Sequence, residues 1–226
     1  MTPETAPASS VSDLTNLLES GGYLADHFKD RKVAVVDDKS AYGKGLADEM
    51  AKAMSAKGLK PALRESITAG ERDYSSLIAK FKQAGVDVMA FGGYHTEVAL
   101  ILRQAQAAGL QLTVMGGDTM TNAELVTAAG PAADNVLFTF SPDARKNPDA
   151  APVVEKFRAA KVEPEGYVLY AYAAMQLFEQ VATAANSTQY AELEKAMRSG
   201  NFKTVIGDLA FGPKGDLNVP GFVVYR

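Results

Sequence analysis

The sequence predicts an α/β fold: a doubly wound, flavodoxin-like parallel sheet followed by a mainly helical segment. Three observations lead there. Short, nearly continuous apolar runs alternate with stretches of helical periodicity, the pattern of βαβ units whose sheet is covered on both faces. Four helical stretches stop at Lys57-Gly58, Ala84-Gly85, Ala108-Gly109 and Ala129-Gly130, where glycine adopts the left-handed conformation that closes a helix without a steric cost. After Phe140 the alternation gives way to helices with few strands between them.

The first strand is Lys32-Val-Ala-Val-Val-Asp-Asp38, apolar and β-branched, with a helix from about Lys44 to Lys57. Leu63 to Ile67 is a less apolar strand, followed by a helix from about Tyr74 to Ala84. Val86 to Phe91, with a helix from Glu97 to Ala108, makes the third unit; Leu112 to Met115, with a helix from Asn122 to Ala129, makes the fourth. Thr121-Asn-Ala-Glu124 fits a capping box at that last helix start. Asn135 to Phe140 is the fifth strand. Beyond a proline-bearing crossover, helices are expected at about Ala150–Ala160, Gly166–Ala185 and Gln189–Ser199. The middle one carries apolar residues nearly all round (Tyr167, Leu169, Tyr170, Ala173, Met175, Leu177, Phe178, Val181), so burial on several sides is expected, with Tyr170, Met175 and Phe178 on its apolar faces. Short strands at Thr204–Ile206 and Leu209–Phe211, a turn at 212–217 and a final strand at 221–225 complete the chain.

The 226 residues are 47% hydrophobic and 22% charged, with 23 basic against 27 acidic side chains. A net charge of −4 without a basic patch argues against nucleic-acid binding. No apolar run approaches the roughly 18 to 20 residues that span a bilayer, so membrane insertion is not expected. Cysteine is absent and histidine occurs only at His27 and His95, which excludes thiolate metal sites, thiol nucleophiles and histidine-rich centres. No cofactor or metal is expected, and no Walker loop, nucleophile elbow or zinc-protease motif is present. Residues 1–22 are expected to form a flexible N-terminal segment, small and polar at first; they carry no basic-then-apolar pattern of a secretory signal peptide.

Chemistry concentrates at the carboxyl ends of the strands, where open α/β sheets bind ligands. Tyr42 follows the first strand, Tyr94 the third and Asp118 the fourth, so all three are expected in one crevice. A carboxylate there needs a cation, and tyrosines offer apolar walls with polar tips. Recognition of a small ammonium-bearing molecule follows, with charge-assisted hydrogen bonds to Asp118. The acidic pair Asp37-Asp38 admits an alternative, the receiver-type phosphoacceptor site. The third strand, however, ends Ala90-Phe91-Gly92 and the fifth Thr139-Phe140-Ser141, without the aspartate and lysine such a site needs.

Four segments carry a family resemblance: Val33–Leu46 (VAVVDDKSAYGKGL), Thr68–Ile78 (TAGERDYSSLI), Phe91–Glu97 (FGGYHTE) and Val205–Asp216 (VIGDLAFGPKGD). They closely resemble the Leu/Ile/Val-binding proteins, type I periplasmic solute-binding proteins of ABC importers for branched-chain and related amino acids. The similarity runs from about Tyr23 to Arg226. The resemblance implies a non-enzymatic, periplasmic amino-acid-binding component with an importer permease as partner. It places Tyr42, Tyr94 and Asp118 on ligand-contacting positions of the family's second lobe, and Tyr167 on an aromatic contributed by the first. The family position matched by Asp118 is typically an acid holding the α-ammonium, often Glu. Aspartate reaches one methylene less far, which leaves room for small neutral amino acids beyond Leu, Ile and Val.

Mature family members are about half as long again, so the resemblance implies a truncated chain. Residues 23–140 and 217–226 would make the intact lobe, and 141–216 a mainly helical remnant of the other. Weakened or lost ligand binding is then expected. The alternative is a self-associating structural fragment without ligand, a homodimer formed through the exposed faces of helices 150–185.

Overall fold

The computed structural model describes residues 13–212, 215–218 and 221–226, and its chain divides into two units: one runs through Ser141 and takes up the chain again at Phe222–Arg226, the other is Pro142–Gly221. In the first unit, strands β1 (Val33–Asp37), β2 (Leu63–Ser66), β3 (Val88–Gly92), β4 (Thr113–Gly116) and β5 (Val136–Phe140) alternate with helices α2 (Ala41–Ala56), α3 (Ser75–Ala84), α4 (His95–Ala107) and α5 (Ala123–Ala129), after an initial α1 (Asp13–His27). Strands β6 (Phe202–Thr204) and β7 (Gly207–Leu209) belong to the second unit, and β8 (Val223–Tyr225) returns to the first. The sheet order is β2-β1-β3-β4-β5-β8, parallel except for the last strand. That is the doubly wound, flavodoxin-like order, with its switch point between β1 and β3.

The apolar runs become strands because both faces of the sheet are covered. All of β1, β3 and β5 is buried, whereas edge strand β2 alternates, as its more polar sequence requires. Val33, Val35, Val88, Ala90, Met115 and Leu137 pack with Leu24 of α1 and Leu46, Met50 and Met54 of α2. The intervening strand residues project to the opposite face, where α3, α4 and α5 pack side by side. Gly58, Gly85, Gly109 and Gly130 all take positive φ after their helices, as the helix stops required.

The N-terminal segment expected to be flexible is helical over residues 13–22, as part of α1, and Ser20, Gly21, Gly22 and Leu24 are buried. Gly21 and Gly22 look like helix breakers in the sequence. In the fold Gly21 lies where α1 crosses α2: a methyl there would come 2.5 Å from the Met50 carbonyl oxygen and 2.6 Å from Ala53 Cβ. The absent side chain lets the two backbones meet. Residues 1–12 of the expected flexible segment lie outside the described residues.

In the second unit, α6 (Ala151–Ala159), α7 (Val168–Ala185) and α8 (Tyr190–Ser199) accompany the β6–β7 hairpin. Its core is Ala150, Val153, Val154, Leu169, Ala173 and Val205. The hairpin sits two residues earlier than the apolar letters indicate. Val205 and Ile206 form its turn, closed by Gly207 at φ +114° and by Thr204 Oγ1 donating to the Gly207 carbonyl at 2.8 Å. Val205 satisfies its apolar nature by entering the core instead of a strand. Helix α7 is likewise not buried on several sides: only Leu169, Ala173 and Val181 are buried, while Met175 and Phe178 remain 67% and 47% exposed.

The loop before α7 is held by charge. Arg145 binds Asp143 through both carboxylate oxygens and reaches Glu163, which Arg158 grips from the other side. The Arg158 guanidinium, then Arg145, holds the Glu163 carboxyl at about 2, below its ordinary 4.5. No helix among the described residues is long and apolar enough to cross a membrane.

Candidate functional site

The site begins with how β1 hands over to α2. Asp38 Oδ1 accepts from the Ser40 N–H at 2.9 Å and from its hydroxyl at 2.6 Å. Ser40 Oγ in turn accepts from the Gly43 N–H at 2.9 Å and caps α2, a contact worth about 1 kcal/mol. This fixed first turn carries Tyr42. Residue Lys39 between them takes φ +64°, a conformation that costs a side-chain-bearing residue about 1 kcal/mol.

Tyr94 is the residue before α4, reached from β3 through Gly92 and Gly93. Asp118 follows β4 through Gly117 and opens a short 3-10 turn at Asp118–Thr121. These three loops converge. The Tyr42 hydroxyl donates to Asp118 Oδ1 at 2.8 Å, and the Tyr42 and Tyr94 rings lie 5.6 Å apart at 45°. Thr119 Oγ1 donates to the Gly93 carbonyl at 2.8 Å, tying the loop after β4 to the loop after β3. Thr121 Oγ1 donates to the Asp118 carbonyl, so it does not cap α5; Asn122 does, accepting from the Glu124 N–H at 2.9 Å. The expected capping box is thus replaced by a cap one residue later, because the Thr121 hydroxyl is spent on the 3-10 turn.

The arrangement is a half-buried carboxylate whose orientation is set by a phenol, beside a second, 44%-exposed tyrosine ring. Asp118 Oδ1 accepts the hydrogen bond that the Tyr42 hydroxyl donates. The two rings supply an apolar wall. All three residues sit at the carboxyl ends of β1, β3 and β4, next to the switch point of the sheet. Tyr167 lies in the other unit, just before α7; its ring meets Tyr170 edge-on at 6.3 Å, and the Tyr170 hydroxyl donates to the Pro142 carbonyl at 2.6 Å. Tyr170 is therefore a bonded residue and not part of an uncommitted apolar face.

Asp37 and Asp38 are both 3% exposed and serve the backbone. Asp37 accepts from the Lys39 N–H and the Ser66 hydroxyl and pairs with Arg64 at 3.0 Å. Among the described residues no cluster of three acids or histidines could hold a metal ion. Of the two acids in the receiver-type alternative, Asp37 is bound by Lys39, Ser66 and Arg64, while Asp38 gives Oδ1 to the Ser40 turn and its Oδ2 is buried without a hydrogen-bond partner among the described residues. Thr119 and Gly117 were not legible as site residues. One contributes a hydroxyl to a neighbouring loop and the other contributes the lack of a side chain, and neither leaves a mark in a single sequence.

A family profile described as "Periplasmic binding protein" matches residues 5–225, beginning ahead of the residue-23 boundary of the sequence resemblance. The chain is 51% identical over 208 residues to Leu/Ile/Val-binding protein homolog 1 of Brucella melitensis, covering 92% of this chain and 56% of the relative. It therefore spans little more than half the length of that curated relative. Among solved structures, a leucine binding protein from Thermotoga maritima superposes with a TM-score of 0.81 at 23% identity, covering 94% of this chain and 61% of the other. A branched-chain amino acid transporter substrate binding protein from Streptococcus pneumoniae, in complex with isoleucine, gives a TM-score of 0.74 at 22% identity, with 96% and 66% covered. At such identities these two likenesses speak for the fold.

Proposed function

Because the chain belongs to the periplasmic binding protein family, a family of solute-binding proteins and not of enzymes, we propose that its first unit is an amino-acid-binding lobe of an ABC importer. The ligand is a branched-chain or other small neutral amino acid, and the importer permease is the partner in the periplasm. One observation carries the reading: the Tyr42 hydroxyl holds Asp118 at 2.8 Å beside the Tyr94 ring. In this reading Asp118 receives the α-ammonium and the Tyr42 and Tyr94 rings cover the apolar side chain. The isoleucine in the Streptococcus pneumoniae relative has the same chemistry.

A zwitterion held by its ammonium alone leaves its carboxylate to solvent, so binding by this chain is weaker than about micromolar. Titrating ¹⁵N-labelled protein with leucine, valine, alanine, proline and γ-aminobutyrate to millimolar levels tests this. Saturable amide shifts at Gly93, Tyr94 and Thr119 are expected. Shifts confined to residues remote from these three loops overturn it.

Helix α7 favours a second reading, self-association as a homodimer. Met175 and Phe178 are exposed, and an apolar hollow of about 300 Å³ between α8 and the following turn is walled by Tyr190, Leu193, Met197 and Phe211. Light scattering at rising concentration decides it: a mass that climbs to two chains supports association, and an unchanging single-chain mass removes it.

A further inference from the structure

Gly117 is buried at the floor of the three-loop site, between β4 and Asp118. Its backbone does not need glycine. With φ −91° and ψ −162° it lies in the extended region open to any residue. What glycine supplies is space. A methyl on Gly117 would come 2.5 Å from the Tyr42 hydroxyl oxygen and 2.8 Å from Leu46 Cδ2, both from α2. Tyr42 and Leu46 are four residues apart and share one helix face. The two side chains therefore come down together on the bare backbone of residue 117.

We propose that Gly117 is a positioning residue: it seats the Tyr42 phenol so that its hydroxyl meets Asp118, and thereby sets how deep the ammonium pocket is. The proposal rests on the amino-acid-binding reading of this site. The geometry allows little alternative. Leu46 is 3% exposed and belongs to the core cluster with Val35, Met50 and Ala90, so its Cδ2 gives only slightly and the larger shift falls to the phenol. The phenol is the half-buried partner and the one that yields. Restoring ordinary van der Waals contact displaces it by about 1 Å. That lifts the hydroxyl from its 2.8 Å bond to Asp118 and shifts its ring relative to Tyr94. Because the crowded atoms are side-chain ends, the backbone of the fold has no cause to change.

The test uses the whole chain labelled with ¹³Cζ-tyrosine, with the Tyr42 resonance assigned by its loss in Tyr42→Phe. Gly117→Ala is expected to move the Tyr42 resonance while leaving the circular dichroism spectrum intact. It is also expected to weaken leucine binding about two- to tenfold, the loss of one oriented hydrogen bond. In the Tyr42→Phe background, where the crowded oxygen is gone, Gly117→Ala is expected to change the affinity less than about twofold.

An unmoved Tyr42 resonance overturns the proposal. So does an equal loss of affinity in both backgrounds, which would mean that the methyl acts elsewhere. A Gly117→Ala chain that does not fold overturns it too, since the backbone and not the phenol would then be resisting. If the parent chain binds no amino acid, the ammonium reading falls, while the resonance still decides whether Gly117 seats Tyr42.

Discussion

Replacing Asp118 by asparagine removes one negative charge and almost no volume. The amide oxygen can still accept the Tyr42 hydroxyl at the 2.8 Å now seen to Oδ1, so the loops after β1 and β4 stay joined. What is lost is the charge in the hydrogen bond to an ammonium. Hydrogen bonds to charged groups are worth about 1.5–3 kcal/mol, and the half-exposed setting of Asp118 and Tyr94 keeps solvent screening in play. Leucine affinity should therefore fall about 10- to 150-fold.

The assay is the amide-shift titration, run with leucine and with 4-methylpentanoate, which is leucine without its amine. Asp118→Asn should weaken the first and leave the second unchanged. Asp37→Asn should alter neither, because that carboxylate is committed to Lys39, Ser66 and Arg64. Equal binding of leucine by Asp118→Asn and the parent refutes the assignment. Equal losses for leucine and its deaminated analogue refute it as well, since the carboxylate would then be shaping the crevice and not meeting an ammonium.

Two other outcomes follow from buried and paired groups. The Tyr74 hydroxyl is buried without a hydrogen-bond partner among the described residues, and burial, then Glu97 and Glu71, pushes its pKa to about 12. Tyr74→Phe should leave the urea midpoint at pH 7 unchanged or raise stability by about 1 kcal/mol. A raised pKa means that the tyrosine's contribution is present below pH 10 and lost as pH rises through about 12, so the variant should outlast the parent in alkali. A marked destabilisation at pH 7 would show a bond to this hydroxyl. Glu163 has the opposite sign: its pKa is depressed from 4.5 to about 2, so its contribution is complete above 4.5 and lost as pH falls through about 2. Glu163→Gln should flatten part of the acid limb of a melting-temperature profile between pH 5 and pH 2, most visibly at low salt. An unchanged profile would mean that the Arg158–Glu163–Arg145 pairs add nothing.

Much of this protein could be read from local letters. The β-branched runs at β1, β3 and β5 announced strands buried on both faces, and the glycines at 58, 85, 109 and 130 announced helix stops by the positive φ that glycine adopts cheaply. Strand ends followed by Tyr42, Tyr94 and Asp118 told which residues the sheet edge would gather, since parallel βα units bring all such ends to one side. Local letters misled where a residue's job was set by something distant. Gly21 reads as a breaker and serves as a crossing point between α1 and α2; Val205 reads as a strand residue and turns a hairpin, because core burial outweighs propensity; the Thr121 hydroxyl turns inward to the Asp118 carbonyl instead of capping.

Period and turn chemistry are properties of neighbours along the chain, so the sequence alone determined the alternation of strands and helices and the sheet edge where Tyr42, Tyr94 and Asp118 gather, and its four motif segments carried the family resemblance. Which phenol leans on which carboxylate, and that a bare backbone at Gly117 makes room for it, depends on contacts between segments 75 residues apart. Only the packing of the three loops against α2 decided that, because close approach in space has no signature in the order of the letters.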